Sequence, residues 1–507
     1  MHSFHILSVA STFVMCCAVV ESDLQLHSDD HYLNERNRIL KLEKYLFAGG
    51  QFELTDKEKR VNEIILQKKK SELSRGYKNV SDFLPSQHFF QSRRRIDQSQ
   101  VFAVIKNVPK GASLHTHLLA GVSPNYIIED ITYRDNIYGC YLNGTFKLRF
   151  LEDASQDTQC NWKKIKEYRK ENPDFNSFLL EHLSLEVEHP SEAYPTPDVV
   201  WTRFKKIFTT EYDMVAYKPV FIDYIYRFLE ELYMDNVFYT EIRGSIMPLY
   251  DLNGTVHDNE EFFKVFIDVV EKFKRDHPNF VGARYIHSIY RGVGTDDLRS
   301  GLKQLTELQR KFPDFIAGFD FVGFEEEGKR LVDFHEVLLE FSEDLKFFFH
   351  AGETNWFGHT DLNLVDAILL NSSRIGHGFG LDKHPVVTKM AKEKGIAIEL
   401  SPISNQVLLL NNDPRNHPAV PLMAKGLPVV ICNDDPSAWG ATGLSYDWYI
   451  VFMAMTPENA GIEVLKQFAV DSIKHSAMSE PEKIEAMHKW TGEWEKFLDE
   501  MLYISCT

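Results

Sequence analysis

The distribution of apolar and polar positions changes character near residue 100. Before it charged positions dominate, and Val61, Ile64 and Ile65 recur at helical spacing on one face, read as opposite to Lys57, Lys68 and Lys69. Thr55 and Glu58 stand at capping-box spacing and open this helix, while Gly49-Gly50 breaks the segment in two. One apolar stripe needs a covering surface, which either the same chain or a second subunit would supply. From residue 110 the chain turns to short apolar, β-rich runs that end in polar residues and alternate with helical stretches, as in a parallel sheet with crossover helices. Eight such runs occur, at residues 112–117, 237–243, 281–287, 316–323, 347–353, 374–378, 396–401 and 429–435. They predict an α/β chain folded as a (β/α)8 barrel, whose chemistry sits where the strands' carboxyl ends meet at one mouth.

The gap between the first two runs exceeds what a crossover helix needs, so an inserted subdomain is expected at about residues 125–185. Residues 462–476 and 481–502 read as amphipathic helices on the barrel's outside. At the other end, residues 6–20 are apolar, and Val20 and Ser22 suit the minus-three and minus-one positions of a signal-peptide cleavage site. No Lys or Arg precedes that run, so a short anchor or a buried helix is the alternative. The expected organisation is a signal at 1–22, a helical appendage at 23–100 and a barrel at 101–507, in a secreted protein without a membrane span.

Composition narrows the function. With 74 acidic against 56 basic residues and a formal charge of −18, the surface would repel nucleic acid and anionic lipid; a small uncharged or cationic ligand fits better. Of six cysteines, Cys16 and Cys17 leave with the signal, which leaves Cys140, Cys160, Cys432 and Cys506. Cys140 and Cys160 share a polar, turn-rich stretch and are expected to pair under oxidising conditions, two free thiols being the alternative. Sequons at Asn79, Asn143, Asn253 and Asn371 agree with export.

Four fragments carry candidate chemistry, each with a bland alternative. His115 and His117 stand at i and i+2, so on a strand both face one side and can share a metal; a structural or surface role would also explain the pair. His350 and Glu353 offer a ligand and a proton donor together, although Glu353 also suits a helix start. His377, flanked by glycines in Arg374-Ile375-Gly376-His377-Gly378, could orient and deprotonate a bound water. Asp434 and Asp435 end the eighth run, and Asp435 before Pro436 also suits an N-cap. All four fragments fall at the carboxyl ends of runs one, five, six and eight. Three histidines and one aspartate suit a divalent ion of borderline softness such as zinc, with a position left for water.

Pro109-Lys110-Gly111 leading to His115-Thr116-His117, then HAGET, RIGHG, SPISN and DDP in that order, resemble the adenosine deaminase superfamily over most of residues 100–500. The signal, the helical appendage, the cysteine-bearing insertion and Val200-Trp201 with Phe204 resemble its adenosine deaminase 2, or adenosine deaminase-related growth factor, branch. The resemblance implies His115, His117, His350 and Asp434 on one zinc ion per subunit, Glu353 as proton donor to purine N1, and His377 assisting the attacking hydroxide. It further implies Asp435 at N7, the Gly323 backbone at N3, and Trp201 and Trp356 as walls of the substrate pocket. The appendage would mediate a homodimer, and the insertion would bind a cell-surface receptor or glycosaminoglycan. One departure concerns the sugar: the family's ribose-contacting aspartate just after the second histidine is replaced by Leu118 and Leu119. Another is Asn433 in place of the serine of Ser-Asp-Asp-Pro.

Three readings follow from the sequence. The first is a secreted enzyme that hydrolyses adenosine and 2′-deoxyadenosine to inosine and deoxyinosine with release of ammonia. The second is a secreted growth factor of the same fold with weak or altered turnover, which Leu118 and Leu119 favour. The third, another metal-dependent hydrolase on this barrel, is disfavoured because Glu353 paired with Asp435 suits a purine ring.

Overall fold

A computed structural model describes residues 28–504. The expected signal at 1–22 and Cys506 lie outside the described residues. The described chain separates into two compact units after Leu46. The first consists of the helix Asp29–Leu46, on which no residue is buried and Tyr32, Leu33, Ile39, Leu40, Leu42, Tyr45 and Leu46 are exposed.

The second unit begins at Phe47. Its strands are β1 (Gly111–His117), then β2 (Ile137–Leu142), β3 (Thr145–Phe150) and β4 (Lys163–Lys164) of the insertion, then β5 (Val237–Gly244), β6 (Gly282–Tyr290), β7 (Ile316–Val322), β8 (His350–Ala351), β9 (Arg374–His377), β10 (Ala397–Leu400) and β11 (Val429–Ile431). β1, β5, β6 and β7 pair in that order, β8 to β11 pair in theirs, and every pairing is parallel. Single parallel bridges from Phe319 to Phe347 and from Thr116 to Asp434 join the two half-sheets into a ring. Each of the eight expected runs overlaps one of these strands, with β1, β5 and β6 reaching one to three residues beyond theirs, and the fold is a (β/α)8 barrel.

Barrel interiors are commonly filled by branched apolar side chains. Here part of the filling is ionic: Arg374 donates to Glu241 and Glu399, and Arg243 donates to Asp320 and Glu399, all five side chains being buried. Each guanidinium lies between two carboxylates, so burial leaves no charge without a partner.

The helix Asp56–Lys78 starts with the expected capping box and packs on the helices Ile462–Lys474 and Glu480–Ile504, so the same chain covers its stripe. This ties the segment to the barrel, and the compact unit begins at Phe47, without a break near residue 100. Lys69 is corrected by the structure: read as part of the polar face, it is fully buried. It follows Val61 and Ile65 at successive four-residue steps and therefore lies on the stripe. Its ammonium donates to Thr456 Oγ1 at 2.7 Å, Pro457 O at 2.8 Å and Ala460 O at 3.1 Å, one acceptor for each of its three hydrogens.

The insertion holds an antiparallel sheet in the order β3-β2-β4. Asn143 and Gly144 turn its hairpin with φ of +51° and +74°, the left-handed pair that a two-residue type I′ turn requires. A disulfide joins Cys140 to Cys160 beside a small core of Tyr138, Leu151 and Trp162. All four sequon asparagines are exposed.

Candidate metal centre and active site

Pleating turns His115 and His117 to one side of β1, with ring centres 5.3 Å apart. His350 of β8 brings a third imidazole 4.5 Å from the His115 ring and 5.4 Å from that of His117. Asp434 follows β11, where its N–H donates to His115 O at 3.1 Å and its carbonyl accepts from His117 N–H at 3.0 Å. That clasp holds Asp434 at φ +58°, a left-handed conformation uncommon for a residue with a side chain. His377 has φ +59°, and two such residues facing one point mark a strained, functional centre.

The donor atoms suit a metal ion. Asp434 Oδ1 lies 3.2 Å from His115 Nε2 and 3.0 Å from His117 Nε2. Both Asp434 Oδ1 and His115 Nε2 are buried without a hydrogen-bond partner among the described residues, a costly arrangement that a shared cation relieves. Carboxylates behind the rings aim the free nitrogens: Glu399 Oε2 accepts from His115 Nδ1 at 2.8 Å and Asp320 Oδ2 from His350 Nδ1 at 2.6 Å. Burial pushes His350 down to about 4, so its imidazole is neutral, as a ligand must be.

Next to these donors stand groups able to move protons. Glu353 sits in the loop after β8, caps no helix, and is buried, with its N–H donating to Glu325 Oε2 at 2.6 Å. Burial first, then the charges of Asp434 and Glu325, raises its carboxyl well above the usual range. Asp434 and Asp435 are pushed apart. Burial opposes ionisation of Asp434, but the His115 and His117 imidazoles hold it well below the ordinary value, whereas burial and the Asp434 charge raise Asp435. Asp435 precedes the short helix Pro436–Trp439 but makes no side-chain cap bond, and its Oδ1 has no partner among the described residues. The carboxyls of Glu353 and Asp435 thus favour their protonated, hydrogen-bond-donating form.

A cavity of about 400 Å³ opens over this centre, a size suited to a small organic ligand. It is lined by His117, His350, Glu353, His377, Asp434 and Asp435 at one side and by Gly323 and Trp201 at another. Trp201 stacks on Phe324 with ring centres 4.9 Å apart, and Lys205 pairs with Glu327 at 2.7 Å nearby. Leu118 and Leu119 also line the cavity. Trp356, expected as a second wall, is not among the lining residues. Its side chain is 62% exposed, and its indole N–H donates to Glu326 at 3.0 Å, which holds the ring at the surface.

The expected residues therefore converge, except Trp356. The sequence reading passed over Arg243, Asp320 and Glu399, which orient the imidazoles from behind. Asp320 and Glu399 each stand as a charge inside an otherwise apolar run destined for a buried parallel strand, whereas Arg243 closes the run 237–243 two residues after Glu241.

The chain is similar to a group of known proteins. An adenosine/AMP deaminase amino-terminal profile matches residues 11–105, and an adenosine deaminase profile matches residues 185–490. The chain is 42% identical over 460 residues to an adenosine deaminase of Phlebotomus duboscqi, which spans 90% of this chain and 89% of that one. It is also 42% identical over 487 residues to adenosine deaminase 2 of Sus scrofa, covering 94% and 95% respectively. Among solved structures, an adenine deaminase from Arthrobacter aurescens shares the fold at a TM-score of 0.54 and 19% identity, over 77% of this chain and all of that one. A barrel mouth that gathers histidines, aspartates and an acid-form glutamate, on a chain so closely matched along its length, makes this protein a hydrolase of the adenosine deaminase family.

Proposed function

We propose that the protein is a secreted, zinc-dependent deaminase that converts adenosine and 2′-deoxyadenosine to inosine and deoxyinosine, releases ammonia and so lowers extracellular adenosine. The observation that carries this reading is the junction of a buried, partner-poor donor set with a carboxyl that favours its proton, Glu353. His115, His117, His350 and Asp434 would hold the ion. Zinc so held supplies Lewis-acid activation of a water for attack on carbon.

The chain's own groups account for the remainder. Glu353 delivers a proton to purine N1 as oxygen adds to C6, which keeps negative charge off the ring. Asp435, protonated, donates to N7, and the Gly323 N–H faces N3. A glycine suits that place because a Cβ there would meet the Tyr290 ring at 2.6 Å. Trp201 closes one side of the base pocket, and His377 orients the attacking oxygen. The proton shed by the attacking water passes to solvent, the hydroxyl proton of the tetrahedral carbon moves to the amino nitrogen, and collapse expels ammonia, leaves the C6 carbonyl and lets solvent restore the proton on Glu353. Export would place glycans on the four exposed sequons, and the exposed apolar residues of the helix Asp29–Leu46 would join a homodimer. The insertion would carry the contact to a receptor or glycosaminoglycan.

The second reading, a growth factor with weak turnover, is favoured by Leu118 and Leu119 on the cavity wall, where neither side chain can bond a sugar hydroxyl. Purified protein mixed with adenosine should lose absorbance at the adenosine band, with deoxyadenosine and adenine as comparison substrates. Absence of decay with the zinc-loaded protein would reject the enzymatic reading in favour of the second.

A further inference from the structure

The SPISN segment holds a buried hydrogen-bond chain whose direction is fixed at its far end. Ala419 N–H can only donate, and it donates to His417 Nδ1 at 3.0 Å. That nitrogen is therefore unprotonated, and the ring carries its hydrogen on Nε2. His417 Nε2 lies 2.9 Å from Asn405 Oδ1, so the carboxamide must turn its oxygen to His417. Its amide nitrogen then faces His377 Nδ1 at 3.2 Å and donates to it. His417, Asn405 and His377 are all buried, and the Phe379 ring meets His417 edge-on at 5.0 Å, so neither His417 nor Asn405 can readily turn over.

We propose that His417 and Asn405 are positioning residues that lock His377 as the tautomer with its hydrogen on Nε2, so that His377 donates a hydrogen bond to the attacking oxygen instead of receiving a proton from it. The inference rests on the deaminase reading above for its chemical meaning. His377 Nε2 is 3.8 Å from Asp434 Oδ2, on the side of the ligand carboxylate, as a donor to the nucleophile must be. The same direction reaches Glu353. Its Oε1 is 3.5 Å from His377 Nδ1, and a lone pair on that nitrogen favours a carboxyl that keeps its hydrogen over a carboxylate. One chain thus sets two polarities: a donor to the oxygen that attacks C6, and an acid ready for N1. It also revises the role expected of His377, which included deprotonating the water.

The test is the nitrogen NMR spectrum of the zinc-loaded protein labelled with ¹⁵N in its imidazoles, with His377 assigned by its loss in His377→Asn. Wild type should show a pyridine-like Nδ1 and a pyrrole-like Nε2 at His377; the reverse would overturn the proposal without any further variant. Asn405→Asp, an isosteric acceptor, should reverse the His377 pattern and lower kcat about 100-fold while KM changes less than about threefold. His417→Gln, which can accept from Ala419 N–H and donate to Asn405, should keep most of kcat, whereas His417→Phe should lose it at unchanged zinc content. Equal kcat in His417→Phe and wild type would overturn the relay. If wild type shows the expected tautomer but never deaminates adenosine, the relay stands and the deaminase reading fails.

Discussion

At the residue scale the site is a set of neighbouring groups forced to hold different protonation states. Glu353→Gln keeps the size and removes the transferable proton, so turnover should fall by about 100-fold to 10,000-fold while zinc content stays at one per chain. A variant with near-wild-type kcat would remove Glu353 from the proton transfer. Leu118→Asp places an acceptor where the sugar would lie, and KM for adenosine should drop; an unchanged KM would show that Leu118 is not the missing ribose contact. Glu211 shows the cost of a buried acid outside the catalytic set. Its Oε2 accepts from Ala120 N–H at 2.9 Å, its Oε1 has no partner among the described residues, and burial raises it to about 7. The folded protein therefore keeps a proton at Glu211 that the unfolded chain has already released. Its contribution to stability is complete below about pH 4.5 and is lost as pH rises through about 7, a change of about 3 kcal/mol. Glu211→Gln should raise the melting temperature at pH 8 and leave it nearly unchanged at pH 4; equal shifts at both would show that titration of Glu211 is not the cause.

At the scale of elements, the barrel strands were legible because buried parallel strands read as apolar runs, and the candidate site residues stood out because they interrupt those runs at one end. Where a run's contribution to the ladder is short, as in β8 with only His350 and Ala351, sequence fixes the place but not the extent. Lys69 was misplaced for a different reason: its charge argued for solvent, while its spacing from Ile65 placed it on the stripe, and three acceptors on the loop 456–460 decided the matter. The orienting groups Asp320, Glu399 and Asn405 were harder to foresee, since their partners come from strands and loops distant along the chain. The insertion can be tested as an element. Its disulfide closes a loop of 20 residues, and replacing both cysteines by serine should cost it about 3 kcal/mol by the chain-entropy estimate. Limited proteolysis should then cut the segment 125–185 first, while kcat holds; loss of kcat in step with cleavage would show that the insertion supports the catalytic centre.

At the scale of the whole molecule, the proposed metal ligands tie the two half-sheets together. His115 and His117 come from one, His350 from the other, and Asp434 from the loop that bridges back to β1. A cation bound only by the folded form stabilises it by about 4 kcal/mol at a thousand times its dissociation constant. Chelation should therefore abolish turnover and lower the melting temperature of the barrel together, with both restored by zinc; recovery of activity without recovery of melting temperature would separate the ion from the fold.

The bridge between Thr116 and Asp434 also governs when the protein can become an enzyme. A chain emerging from the ribosome presents His115 and His117 early, yet it lacks the proposed fourth ligand until residue 434 has cleared the exit tunnel. A metal held by this set would therefore be loaded late in biosynthesis, and a chain ending before residue 434 should bind none at this centre.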